Sequence, residues 1–449
     1  MRALLRVLYG NTMVLANAGG QRGFPWRPAG EVARARDRRV RRMVRHAAKH
    51  VPYYSEAFRR LGLDPRDLRT ARDLARLPIL EKAVVRADPE AFVARTFAGR
   101  RAVRFETSGT GGEPLPVFHD IASLLANIAY GEREREVFHL GANGRGPTRV
   151  LVIAYPTSTG SRVQRLYDEW TWIPQRPSRR FLSVREPLET IVATLDAFRP
   201  HVVSAYGGYL EALFRTLTAT GTVFHRPDAV LYGAEGMTPE GKSLIEQELG
   251  VPVYSQYNAV EAFKIGFTCE RRSGFHVHDD LCPVRLVDGD GREVPDGDPG
   301  SVVISNLVNR ATVLLNYRLG DVAVRSPSPC PCGRGLSLLS EIRGRIEDVL
   351  WLSADRFVHP RAVWEVLKGS DGLLRFRLQQ HAADRYTLEL STSSPERFDA
   401  IAASAVPRLR ALLGGASVEP VAVGELGLHD ERKFRAVVAR ARPNGVSFE

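Results

Sequence analysis

The chain has 449 residues, of which 44% are apolar and 25% charged, the ordinary balance of a folded globular protein. That excludes a disordered chain and a collagen-like repeat, and four cysteines in this length make no disulfide framework. Lys and Arg number 63 against 51 Asp and Glu, a net charge of +12, which raises nucleic acid or another anion as a partner.

Met1 to Gly20 hold a short apolar stretch that Arg6, Gly10 and Asn11 interrupt. This predicts an ordinary helix rather than a secretory signal, and a cytoplasmic protein. No apolar run reaches the roughly 18 residues of a membrane span. Residues 31–62 read as helix, with Val32, Val40, Met43, Val44, Ala47 and Val51 at helical spacing and arginines filling the rest. With no aromatic stripe or nucleic-acid module beside them, the arginines read as a solvated face.

From about 100 to 320, β-rich runs alternate with helical ones. Arg149 to Tyr155, His201 to Tyr206, Ala229 to Tyr232, Val251 to Tyr254 and Ser301 to Ser305 read as strands. Pro187 to Phe198, Tyr209 to Thr218 and Pro239 to Leu249 read as helices. Such alternation argues for a mostly parallel, covered sheet, an α/β fold. Cys282 to Tyr317 is β-only, with turns at the Asp-Gly clusters. After a hinge near Arg345 to Asp348 the pattern is β-α-β-β-α-β with one closing strand more: strands at 349–352, 373–379, 386–391, 418–423 and 434–439, helices at 360–368 and 395–413. This order suits a small ferredoxin-like domain.

Glu106 to Pro116 reads E-T-S-G-T-G-G-E-P-L-P. Glycines let backbone N–H groups approach a phosphate, and hydroxyls add donors. It is no Walker A loop, since no Gly-Lys-Ser/Thr follows. Four further segments accompany it: Gly233-Ala234-Glu235, Tyr257-Asn258-Ala259-Val260-Glu261, Tyr317-Arg318-Leu319-Gly320-Asp321 and Gly344-Arg345-Ile346-Glu347-Asp348, with Lys433 near the C-terminus. In this order they resemble the adenylate-forming superfamily of acyl-CoA synthetases, adenylation domains and luciferases. Val51-Pro52-Tyr53-Tyr54 and Leu77-Pro78-Ile79-Leu80-Glu81-Lys82 resemble its phenylacetate–CoA ligase and capsule-type branch.

The resemblance implies a large multi-subdomain body (1–345) that binds acid and ATP, and a small mobile α+β domain (346–449) that carries a catalytic lysine, Lys433, with Glu347 at the hinge. It implies that Ser108, Gly109 and Thr110 cradle phosphates, Thr110 among the catalytic residues with Glu261. Glu261 would hold Mg²⁺, and Asp321 would accept bonds from the ribose hydroxyls, supported by Arg345. Gly233, Ala234 and Glu235 would border adenine, with Tyr257 and Asn258 beside the nucleotide. Phe138, Tyr206, Gly207 and Tyr209 sit where the superfamily builds its acyl pocket; aromatics and glycines there suit a flat, aromatic acid, or plain core packing. The implied reaction is adenylation of a small carboxylic acid with release of pyrophosphate, then transfer to CoA. A homodimer is expected by analogy.

Departures leave alternatives open. Gly111 stands where Thr or Ser is common, Glu113 where Lys is, and Val260 and Leu319 each replace a hydroxyl. The segment Ala354-Asp355-Arg356-Phe357 lacks a glycine that relatives carry beside the pantetheine tunnel, where only a residue without Cβ admits a ligand close to backbone. The acceptor is then CoA, or an amine or other nucleophile as in amide synthetases and diazotases. A catalytically weak nucleotide-binding protein is a third reading. Separately, Cys269, His276, Cys330 and Cys332 offer three thiolates and one imidazole, a set suited to structural zinc; the branch shows a similar pattern. Reduced free thiols are the alternative.

Overall fold

The computed structural model describes residues 2–97, 102–107, 114–138, 147–172, 177–345, 350–352, 357–358, 360–367, 369–424 and 436–439, with backbone alone at 2, 345, 357, 360 and 361. The chain divides into two compact units: 1–150, 156–179 and 254–342 form one, and 151–155, 180–253 and 343–449 the other. The segment from Arg343 onward thus groups with the 180–253 region rather than standing alone.

In the first unit the amphipathic helix is real but shorter than its pattern. It runs Ala29–His50 and buries Val32, Ala35, Val40, Met43, Val44 and Ala47. Pro52 ends it, because a residue before proline is pushed out of the α region; Val51 is extended at φ −105° and a second helix, Pro52–Leu61, begins at that proline. The N-terminal stretch is helical, Arg2–Ala18. No described helix is long and apolar enough to cross a membrane. Strands in the order Val284–Val287, Pro299–Ile304, Tyr317–Arg325, Leu338–Arg345, Phe275–Val277, Gly266–Thr268 and Val253–Tyr257 lie side by side. The first three pair antiparallel in succession, as the Asp-Gly turns predict, and so do the last three. The core joins both helices to this sheet through Val40, Val44, Tyr54, Leu314 and Tyr317.

In the second unit the α/β alternation holds. Val202–Tyr206 and Ala229–Gly233 pair parallel, with Tyr206 opposite Gly233, and helices Leu188–Phe198 and Gly207–Ala219 pack beside them through Leu195, Leu210 and Phe214. The expected helix from Pro239 is α-helical only to Ser243 and then widens into a π-turn, Leu244–Glu248. The C-terminal sheet runs Ser417–Ala422, Arg385–Thr392, Leu373–Ala382, Val437–Val438. The ferredoxin-like order requires Leu350–Trp351 to belong to it, but that strand stands outside and pairs with the neighbouring Phe357–Val358 as a short hairpin.

Candidate active site

In the first unit, Tyr257 ends the strand Val253–Tyr257 and a tight turn carries the chain through Asn258 to Glu261. Along Tyr317–Arg325, residues two apart share a face, so Tyr317, Leu319 and Asp321 are buried together. Gly320 permits the intervening backbone its φ of +95°. Two tyrosines then cross-link strand and turn. Tyr257 Oη donates to Asp321 Oδ2 at 2.6 Å, and Tyr317 Oη donates to Glu261 Oε1 at 3.3 Å. Asn306 Nδ2 donates to the Glu261 carbonyl at 2.8 Å. Asn258 is exposed; with its amide turned to donate, it reaches the Tyr257 carbonyl at 3.0 Å.

Ser108, Gly109, Thr110 and the departures Gly111 and Glu113 lie outside the described residues. Their flanks are described. Ala102–Glu106 and Pro116–Asp120 form a hairpin with Glu106 opposite Pro116, extended by Thr107, whose N–H donates to the Leu115 carbonyl at 3.0 Å. His119 Nε2 on the outgoing strand donates to the Val260 carbonyl at 2.7 Å. Burial holds its pKa at about 4, so the ring is neutral at pH 7. The stem of the phosphate-loop candidate is thereby bonded next to Glu261.

One cluster escaped the sequence reading. Glu134, buried, accepts from Gln256 Nε2 at 2.6 Å, Lys264 Nζ at 2.9 Å and His278 Nε2 at 2.7 Å. Burial opposes its charge, but Lys264 and His278 outweigh it and hold the carboxyl at about 2. Gln256 precedes Tyr257 and Lys264 follows Glu261, so this carboxylate clamps both ends of the site turn. Phe138 is buried one helical turn on, against Tyr254 and Phe267.

The second unit brings two other motifs into contact. Tyr206 and Gly233 stand at the carboxyl ends of adjacent parallel strands, where open α/β sheets bind ligands. Ala234 adopts φ +66°. A Cβ at Gly207 would run into the Gly236 carbonyl and stand 2.7 Å from the Glu235 carbonyl, so the acyl-pocket and adenine motifs touch through a glycine. Tyr206 lies 5.8 Å from Tyr155, ring to ring, and Tyr209 is buried. Arg375, on the strand Leu373–Ala382, is also drawn here. Burial lowers its pKa to about 10 while Glu235 favours its charge. Sequence reading missed it because a single arginine in a strand carries no signal of what faces it. Lys433 and Glu347 lie outside the described residues, and of Arg345 only the backbone, ending a strand, is described.

Cys269, His276, Cys330 and Cys332 present four ligand atoms all within 4.8 Å of one another. The sulfurs of Cys269 and Cys330 are 3.7 Å apart, and Cys332 Sγ is 3.3 Å from His276 Nε2. Two thiolates on tetrahedral zinc, with bonds of about 2.3 Å, stand about 3.8 Å apart, so the set fits that ion. Burial, then the charge of Arg334, hold His276 at about 4, leaving a neutral donor nitrogen at pH 7. Its Nδ1 is turned toward the Leu336 carbonyl without closing a full hydrogen bond. Burial and the neighbouring sulfurs push the Cys269 thiol up to about 12, a penalty that a central cation reverses. Cys282 is buried apart from this set.

No protein-family model matches the chain. It is 28% identical over 357 residues to a phenylacetate–coenzyme A ligase of Thermus thermophilus, covering 76% of each chain. It is 25% identical over 333 residues to a phenylacetate–coenzyme A ligase of Aromatoleum evansii, covering 70% of each. A solved 2-hydroxyisobutyryl-CoA ligase in a postadenylation state superimposes with a TM-score of 0.72 at 20% identity, over 92% of this chain and 90% of that one. The fold is that of the adenylate-forming ligases. In sequence the chain is similar to the phenylacetate–CoA ligases of that superfamily.

Proposed function

We propose that the protein activates a small carboxylic acid with ATP and passes the acyl group to CoA. The acid's oxygen attacks the α-phosphorus, the bond to the β-phosphate oxygen breaks, and pyrophosphate leaves. The thiol then attacks the acyl carbon and AMP leaves. Charge gathers on phosphate oxygens in the first step, so the site needs donors and cations rather than a covalent nucleophile. The observation that carries this reading is the double cross-link Tyr257–Asp321 and Tyr317–Glu261, which fixes two distant motifs into one polar site.

In this site Asp321 accepts from the ribose hydroxyls, with Tyr257 holding its second oxygen and Arg345 in support. Ser108, Gly109 and Thr110 cradle phosphates, and Gly233, Ala234 and Glu235 border adenine beside Asn258. Lys433 enters from residues 346–449, pivoting near Glu347, and meets the α-phosphate. Glu261 offers the hard oxygen that Mg²⁺ requires; bound there, the ion neutralises phosphate charge. The acid binds beside Tyr206, Gly207 and Tyr209, and the aromatic pair suits a flat acid; Phe138, expected with them, packs as core against Tyr254 and Phe267. The cysteine–histidine set holds structural zinc. ATP and CoA as substrates suit a cytoplasmic protein.

Pyrophosphate release tests the reading. A panel of aryl, fatty and hydroxy acids, each with and without CoA, is expected to yield one class that drives release and forms a thioester. Lys433→Ala is expected to cut adenylation at least 100-fold. Release that continues at full rate without CoA and without a thioester would move the assignment to an amine or another acceptor, the reading that Ala354-Asp355-Arg356-Phe357 favours.

A further inference from the structure

Arginines that the adenylation chemistry leaves unused converge on one place. Arg41 and Arg45, one turn apart on the helix Ala29–His50, face Arg66 and Arg69 from the segment after Pro52–Leu61, and with Pro65 they line a cavity of about 370 Å³. That volume falls within the roughly 300–1,000 Å³ of small-ligand sites. No carboxylate lines it, and among the described residues none of the four guanidiniums belongs to an ion pair. Two of the nearby acids accept from backbone N–H groups. Asp64 accepts from the Arg66 N–H at 2.8 Å, and Asp73 from the Arg69 and Thr70 N–H groups at 2.9 and 2.7 Å.

The guanidiniums are also oriented. Arg41 Nη1 donates to the Arg69 carbonyl at 3.1 Å, Arg45 Nε to the Arg41 carbonyl at 3.0 Å, and Arg69 Nε to the Arg66 carbonyl at 3.3 Å. Each bond spends one of five N–H donors and leaves the others for a ligand. A merely solvated helix face spreads its charges along one element. Here half of the charge comes from a second segment that closes a concavity. Converging like charges repel unless an anion sits between them, and the planar fork of arginine matches phosphate oxygens in pairs.

We propose that this cavity binds a compact polyphosphate: free pyrophosphate or the phosphate tail of a nucleotide. The inference stands on the cavity alone and does not depend on the adenylation reading. Calorimetric titration of the full chain in magnesium-free buffer, with sodium pyrophosphate in one arm and ATP in the other, tests it. Arg45 and Arg66 are exposed, so Arg45→Ser with Arg66→Ser spares the fold. Arg34→Ser with Arg60→Ser, also exposed, removes the same charge elsewhere. Any binding at the adenylation site is common to all three proteins.

The cavity variant is expected to lose one pyrophosphate-binding phase, or at least tenfold in its affinity, while the control keeps it. The same loss in the ATP arm names the nucleotide tail as occupant; loss confined to the pyrophosphate arm names the free anion. Equal loss in both variants, or none in the cavity variant, overturns the proposal. So does a cavity that takes neither ligand but retains an RNA oligonucleotide through the same arginines. Acid-dependent pyrophosphate release, measured on the same proteins, reports separately on adenylation.

Discussion

Glu134 takes three donors in a space almost closed to water. Removing one partner of such a buried set strands the others, at about 3–5 kcal/mol. Glu134→Ala is therefore expected to lower unfolding free energy by about that much in urea, with the loss absent if the carboxylate is no clamp. The pH dependence has a definite sign. Its folded pKa of about 2 lies below the ordinary 4.5, so its contribution is complete above pH 4.5 and fades as pH falls toward 2. Residues differ in how far the chain alone reveals them. Tyr257, Glu261 and Asp321 stand out in the sequence because short motifs hold them at fixed spacing. Glu134, His278, Lys264 and Arg375 do not, because their meaning arises only where distant segments meet.

Gly207 shows what the elements demand of one another. The helix Gly207–Ala219 begins against the 233–236 turn, with no room for a Cβ. Gly207→Ala is expected to cost about 1–3 kcal/mol by overpacking and to raise the KM for ATP through the displaced turn. Gly160→Ala, on the helix Thr159–Trp170 with nothing within 4 Å of its Cβ, is the contrast, expected to be neutral or stabilising by about 0.4–1 kcal/mol. Melting curves and ATP saturation of the two variants decide it. At this scale periodicity carried far. The buried face of Ala29–His50 and the alternating strands between 149 and 257 follow the spacing of apolar residues. What it missed were boundaries: the break at Pro52, and the hairpin that takes Leu350–Trp351 out of the C-terminal sheet. Both are settled by local backbone geometry that a hydrophobic pattern does not encode.

Over the whole molecule, the two units cut across the order of the chain. Residues from Arg343 onward fall in the same compact unit as the 180–253 region. The cysteine–histidine set lies wholly within the other unit. Elemental analysis of the purified protein is expected to find one zinc per chain, lost on Cys332→Ser, and chelation is expected to lower the melting temperature. Metal-free protein with an unchanged melt would leave four reduced side chains in its place.

The ring of Phe267 packs against both His276, at 5.8 Å, and His278, at 5.1 Å. One of these imidazoles belongs to the cysteine–histidine set and the other faces Glu134. An aromatic plate in contact with both passes on any tilt of the first to the second, since close-packed interiors transmit displacement rather than absorb it. Loading of the proposed zinc is thus expected to be felt at the turn between Tyr257 and Lys264, and the nitrogen resonances of His278 are expected to shift when zinc is added or chelated, a gauge of a metal that His278 itself does not hold.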